Sequence, residues 1–109
     1  MTIQDIKRGH FKIVEGEGLK NLLEEHFPVA VSEDAEGWLR VDYGALKPLS
    51  VKILSRSELC VESTSNADVT PEIAGDTIRR YNKFLEAATG FNGKQRSKRM
   101  QKKAKEGKL

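Results

Sequence analysis

The chain has 109 residues, 38% of them hydrophobic and 32% charged, a composition typical of one globular domain with a highly charged surface. The first residues form no apolar run of signal-peptide length, and no segment approaches the roughly 20 apolar residues of a membrane span. Cys60 is the only cysteine, which excludes an intramolecular disulfide and leads us to expect a protein of the reducing cytoplasm.

Charge is distributed unevenly behind the net value of +3. Residues 92–109 contain eight basic residues and one acidic residue, a net charge of +7. Residues 1–91 contain eleven basic and fifteen acidic residues, a net charge of −4. A basic end on an acidic body indicates an anionic partner, most often nucleic acid.

In chain order, the short alternating segment His10–Glu15 predicts a first strand. A helix is expected from Glu17, because its apolar positions have the spacing of an amphipathic helix: Leu19, Leu22, Leu23 and Phe27. Pro28 should end this helix, since the residue before a proline is disfavoured in the α region.

The next segment predicts an antiparallel meander. Val29 and Val31 alternate, a polar turn follows, and three further strands alternate apolar and polar residues. One face of the sheet is expected to be buried, with these side chains: Leu39, Val41, Leu49, Val51, Ile53, Leu59 and Val61.

A second helix is predicted to begin at Thr70-Pro71, a capping threonine followed by a first-position proline, and to end at Gly90. Its expected buried stripe is Ala74, Ile78, Tyr81, Leu85 and Ala88, widened by Ile73 and Phe84.

These elements predict an α+β domain in residues 1–91, followed by a basic tail in residues 92–109. The expected architecture is a two-layer sandwich, in which two helices cover one face of a four- to five-stranded antiparallel sheet in the order β-α-β4-α. This order resembles one half of the TATA-binding-protein-like fold, a resemblance of topology that implies a shape and no function.

The basic tail is the strongest functional signal, because its closely spaced cations match the charge density of a phosphate backbone. The candidate nucleic-acid-binding residues are Lys94, Arg96, Lys98, Arg99, Lys102, Lys103 and Lys105. RNA, the ribosome and DNA are all compatible partners, and a solvated terminus without a partner is the main alternative. A membrane surface is disfavoured, because the tail lacks a bulky apolar face.

The uncovered face of the predicted sheet is the second candidate, since an aromatic residue beside cations is a pattern that binds single-stranded RNA. The residues concerned are Trp38, Arg40, Lys52 and Arg56. Two alternatives remain open: a face neutralised by Asp42 and Glu62, or a homodimer contact centred on Trp38 and Leu54.

No catalytic residue, metal ligand or cofactor is predicted. His10, His26 and Cys60 are the only imidazole or thiol groups, and their spacing matches no metal motif. The glycine-containing segment Glu15–Gly18 lacks the spacing and the lysine of nucleotide-binding loops, so we interpret it as a turn.

The segments HFKIVEGEGLKNLLEEHFP and TPEIAGDTIRRYNKFLEAATGFNGKQRSKRMQKKAK together are similar to a small family of uncharacterised archaeal proteins, mainly from methanogens. This resemblance implies a one-domain α+β protein of an archaeal cytoplasm and no site residues. The leading hypothesis is therefore a non-enzymatic module that binds nucleic acid or ribonucleoprotein through its tail; the alternative is a protein that homodimerises through the open sheet face.

Overall fold

A computed structural model of the chain describes residues 2–66 and 68–105. The strands are β1 (Thr2–Asp5), β2 (Ser32–Glu33), β3 (Leu39–Tyr43), β4 (Leu46–Ser55) and β5 (Glu58–Ser65). The helices are α1 (Phe11–Val14), α2 (Gly18–His26), α3 (Pro71–Thr89) and α4 (Gly93–Lys105).

The five strands form one antiparallel sheet in the order β1-β5-β4-β3-β2. Leu39 of β3 lies opposite Val51 of β4, which lies opposite Val61 of β5, so the alternating apolar residues share one face. All three are buried. The predicted α+β architecture with an antiparallel sheet is confirmed.

Helices α2 and α3 pack on the apolar face. Leu19 and Leu23 of α2, and Phe27 directly after it, are each at most 2% exposed, and Leu22 is partly buried against the same core, which confirms the predicted stripe. The Phe27 ring meets the Phe84 ring of α3 edge to face, with centroids 6.1 Å apart. The residue that follows α2 and a residue of α3 therefore contribute aromatic rings to one core.

The predicted ends of α3 are also confirmed. The Thr70 hydroxyl oxygen accepts a hydrogen bond of 3.3 Å from the Ile73 backbone N–H, and Pro71 occupies the first helical position. Gly90 ends the helix in the left-handed conformation with φ of 80°, which a glycine adopts without steric cost.

The first strand was predicted in the wrong place. Residues His10–Glu15 contain the single-turn helix α1, in which the Glu15 N–H donates to the Phe11 carbonyl at 2.9 Å. The strand that pairs with β5 is instead Thr2–Asp5. Alternation misled the prediction because a segment of six residues is too short to distinguish one helical turn from a strand.

Part of the predicted stripe on α3 is also wrong. Ile73 and Ile78 are 44% and 58% exposed, whereas Thr77 is buried. The Thr77 hydroxyl donates to the Ile73 carbonyl at 2.7 Å and accepts from the Ala45 N–H at 3.2 Å. Because both hydrogen bonds satisfy its hydroxyl, Thr77 can be buried where α3 meets the β3–β4 hairpin, a position at which the apolar pattern predicted its neighbour Ile78.

Candidate nucleic-acid interface

Residues 93–105 of the basic tail form helix α4, and a reciprocal cap begins it. The Gln95 N–H donates to the Asn92 side-chain oxygen at 2.9 Å, while the Asn92 N–H donates to the Gln95 side-chain oxygen at 3.0 Å. This arrangement is the capping box, in which two otherwise unpaired backbone donors are satisfied. The Asn-x-x-Gln spacing is a sequence signal for this helix start that the pattern of apolar residues alone does not contain.

Arg96 attaches α4 to the end of α3 rather than facing solvent. The residue is 7% exposed, and its guanidinium donates to the Phe91 carbonyl at 2.7 Å and to the Asn82 side-chain oxygen at 3.2 Å. Burial lowers the pKa of this guanidinium, while the neighbouring Tyr81 and Glu86 act in the opposite direction. Arg96 is thus engaged within the protein.

Arg99 makes the second attachment. Its guanidinium donates to the Asp5 carboxylate of β1 at 2.9 Å and lies over the Phe91 ring, 4.2 Å from the ring centroid. The side chain remains 49% exposed, so part of the guanidinium surface is still open to solvent. Two of the predicted binding residues, Arg96 and Arg99, therefore orient α4 against the domain.

The other described cationic side chains of α4 lie on a different side of the helix from Arg96. At the about 100° that an α-helix turns per residue, four exposed lysines fall within an arc of about 80°. We call these four residues the lysine face: Lys94, Lys98, Lys102 and Lys105. The predicted site residue Lys103 is in α4, but its side chain lies outside the described part of the structure.

The second candidate site is only partly brought together. Trp38, Arg40 and Lys52 lie on the sheet face opposite the core, where the Lys52 ammonium is 6.0 Å from the Trp38 ring centroid. The Arg40 guanidinium donates to the Ser50 hydroxyl at 3.2 Å and is 3.7 Å from the Asp34 carboxylate. Trp38 and Arg40 line a cleft of about 270 Å³ together with Asp34 and Ser50, whereas Lys52 is not among its lining residues.

Arg56 does not join that group. It lies in the β4–β5 turn, where its guanidinium carbon is 5.8 Å from the centroid of the Phe11 ring in α1. Because β4 ends at Ser55, its alternation of side chains does not predict which way Arg56, in the turn that follows, points.

One hydrogen-bonded group of titratable side chains, which we call the Asp76 cluster, consists of Tyr43, Asp76 and Arg80. The Tyr43 hydroxyl donates to the Asp76 carboxylate at 2.6 Å, and the Arg80 guanidinium donates to the same carboxylate oxygen at 3.0 Å. The bond from Tyr43, followed by the one from Arg80, lowers the pKa of Asp76, and the bond to Asp76 raises the pKa of Tyr43. This cluster joins β3 to α3.

The His10 ring contacts α3, and the Cys60 thiol is buried. The His10 ring nitrogen Nε2 lies 2.6 Å from the Ala87 carbonyl near the end of α3, in position to donate to it. Cys60 is buried, and burial raises the pKa of its thiol, which keeps it protonated near neutral pH. Within residues 2–66 and 68–105, no group of three or more histidine, cysteine or acidic residues is arranged to hold a metal ion.

The architecture is that of a small α+β domain, a five-stranded antiparallel sheet with helices packed on it. The chain belongs to the family described as Domain of unknown function (DUF5611), whose model matches residues 1–102. The expectation of an uncharacterised family is thereby confirmed, whereas the archaeal source and the likeness to half of the TATA-binding-protein-like fold stay predictions.

The other comparisons find no relative. No curated protein matches the chain, and no solved structure matches it. Among the described residues, no helix combines the length and the apolar character that crossing a membrane requires.

Proposed function

We propose that this protein is a non-enzymatic binding module that contacts nucleic acid, alone or within a ribonucleoprotein, through the lysine face of α4. The observation that carries the proposal is the division of the α4 cations into two sets. Arg96 and Arg99 bond to the domain, whereas the four lysines of the lysine face are exposed. A helix held by one side presents its other side in a defined orientation.

The spacing of the lysine face suits a phosphate backbone. Lys94 and Lys105 are eleven residues apart, which corresponds to about 16 Å along a helix axis. B-form DNA carries one phosphate per about 3.4 Å of axis on each strand, so that length faces about five phosphates of one strand. Four lysines are enough to neutralise most of them.

Binding should therefore depend on salt in a specified way. If all four lysines neutralise phosphates, log affinity should fall with log salt concentration at a slope of about −3.6 for duplex DNA and about −2.8 for a single strand. Fluorescence anisotropy of a labelled 20-base-pair duplex and a labelled 20-nucleotide RNA, titrated at two salt concentrations, measures both slopes.

The critical variant replaces all four residues of the lysine face with glutamine. A matched control removes four positive charges elsewhere on the domain, by the substitutions Lys20→Gln, Lys47→Gln, Lys83→Gln and Arg79→Gln. The lysine-face variant should lose nearly the whole salt slope, about one unit per lysine, and the control should keep most of it. Equal loss in both variants would mean that only net charge matters, and undiminished binding by the lysine-face variant would remove the proposal.

The alternative, a homodimer formed through the open sheet face, has one supporting observation. Leu54, two residues after Lys52 at an irregularity in the pairing of β4 with β5, is 47% exposed. An exposed leucine near a tryptophan can form the centre of an interface. Light scattering of the wild type should then give twice the chain mass, and Trp38→Asp should restore the monomer; a monomeric wild type would eliminate this alternative.

A further inference from the structure

A groove of about 580 Å³ lies between α1, the loop that precedes it and the β4–β5 turn. Ile6, which is 4% exposed, and the half-buried Phe11 contribute its apolar surface. The volume falls within the range of about 300–1,000 Å³ typical of small-molecule sites. The groove shares no residue with the lysine face.

The charged residues around this groove are mainly cationic. Arg8, Lys12 and Arg56 are exposed and line it, with Glu15 as the acidic member. Within the described residues, none of these three cations forms an ion pair with an acidic side chain. Their positive charge is therefore available to an incoming anion.

Arg56 and Phe11 also form a recognition element for a planar group. The Arg56 guanidinium carbon lies 5.8 Å from the Phe11 ring centroid, within the distance of a cation–π contact. Both a guanidinium plane and an aromatic face stack on flat ligands, and a guanidinium also binds carboxylate or phosphate oxygens in pairs. An apolar surface beside cations without an acidic partner suits a ligand that has both an aromatic ring and an anionic group.

We propose that this groove is a binding site for a small planar aromatic anion, whose ring packs on Ile6 and Phe11 while its acidic group is held by Arg8, Lys12 and Arg56. The three cations favour an anionic aromatic over a neutral one. The apolar surface favours a ligand with a ring over a bare inorganic anion.

The test uses three probes and the full-length protein: 1-naphthyl phosphate, 1-naphthol and inorganic phosphate. Each is titrated into ¹⁵N-labelled protein while the amide chemical shifts are followed. Naphthyl phosphate should bind roughly tenfold or more tightly than either fragment, because it alone satisfies both halves of the site. The shifted amides should lie in residues 6–15 and 55–58.

Matched variants separate the groove from general charge. The double variant Lys12→Gln, Arg56→Gln should weaken naphthyl phosphate binding roughly tenfold, the scale of lost charged hydrogen bonds. The double variant Arg79→Gln, Lys83→Gln, which also removes two exposed positive charges but from α3 outside the groove, should leave it unchanged. The amide spectrum of each variant without ligand shows whether it is folded.

Three results would overturn the proposal. One is inorganic phosphate binding as tightly as naphthyl phosphate, which would leave the apolar surface without a role. Another is a set of shifts centred on α4, which would assign the anion to the lysine face. The third is equal weakening by the double variant Arg79→Gln, Lys83→Gln, which would reduce the effect to net charge.

Discussion

Arg99 of α4 donates a hydrogen bond of 2.9 Å to the carboxylate of Asp5 in β1, so the last described helix is attached to the first strand. The same guanidinium covers the Phe91 ring at 4.2 Å. This contact gives the basic helix a fixed side and a free side. The sequence of α4 alone does not determine which of its cations face solvent, because that depends on which side of the helix contacts the domain.

Arg96 should contribute more than Arg99 to holding α4. Arg96→Gln shortens a buried side chain and leaves the Phe91 carbonyl without its charged donor, which should cost about 1–3 kcal/mol. Arg99→Gln removes a half-exposed ion pair, a type usually worth less than about 1 kcal/mol. Urea unfolding combined with amide hydrogen exchange of α4 measures both, and an equal effect of the two substitutions would contradict the assigned roles.

The start of α4 depends on its capping box. Gln95→Ala removes the acceptor of the Asn92 N–H, and Asn92→Ala removes the acceptor of the Gln95 N–H. Each should reduce the helix signal in far-ultraviolet circular dichroism and destabilise α4 by about 0.5–2 kcal/mol. The control is Gln101→Ala, an exposed glutamine further along the same helix, which should have little effect.

Two glycines should respond to alanine with opposite signs. Gly44 has φ of +51°, and a Cβ built there would collide with the Thr77 hydroxyl of α3, so Gly44→Ala should lower the melting temperature. Gly75 lies within α3 with nothing near its added Cβ, so Gly75→Ala should stabilise by up to about 1 kcal/mol. Thermal unfolding measures both, and stabilisation by Gly44→Ala would contradict the close approach of the hairpin to α3.

The Asp76 cluster should make stability depend on acid. The pKa of the Asp76 carboxyl is lowered in the folded protein. The charged carboxylate therefore contributes fully to stability above the unfolded-chain pKa of about 3.9. That contribution is lost as the pH falls through the lower folded-state pKa. Asp76→Asn should therefore be less stable than wild type at pH 7, and the difference should shrink under strong acid. Urea unfolding at both pH values measures it.

The control for this pH effect is Asp42→Asn, which removes an exposed carboxylate of β3. Its difference from wild type should change much less between the two pH values. A difference for Asp76→Asn that stays constant down to strong acid would show that the carboxylate charge contributes nothing to the cluster.

Local patterns predicted the elements that have several independent signals. The Thr70-Pro71 start and the Gly90 end of α3 agree with the structure because capping depends on neighbouring residues alone. The alternation of Leu49, Val51 and Ile53 correctly predicted a strand with one apolar face. In each case the signal lies within a few residues of the feature that it predicts.

Predictions that required long-range pairing were less successful. The segment His10–Glu15 alternates, yet the position beside β5 belongs to Thr2–Asp5, and only pairing across the sheet decides between them. Arg56 was expected beside Trp38 and instead contacts Phe11. Local periodicity predicts neither which segment forms the edge strand beside β5 nor which residues contact a turn residue.

From its sequence alone, this protein is an acidic α+β body followed by a strongly basic segment, because charge and hydrophobic period are properties of the residues themselves. Only the tertiary structure decided that Arg96 and Arg99 are bonded to the body while four lysines of α4 face outward. It also brought Arg8, Lys12 and Arg56 around one apolar groove. The physical reason is that a side chain's partners depend on how distant segments pack, and Asp5 and Arg99 are 94 positions apart in the sequence.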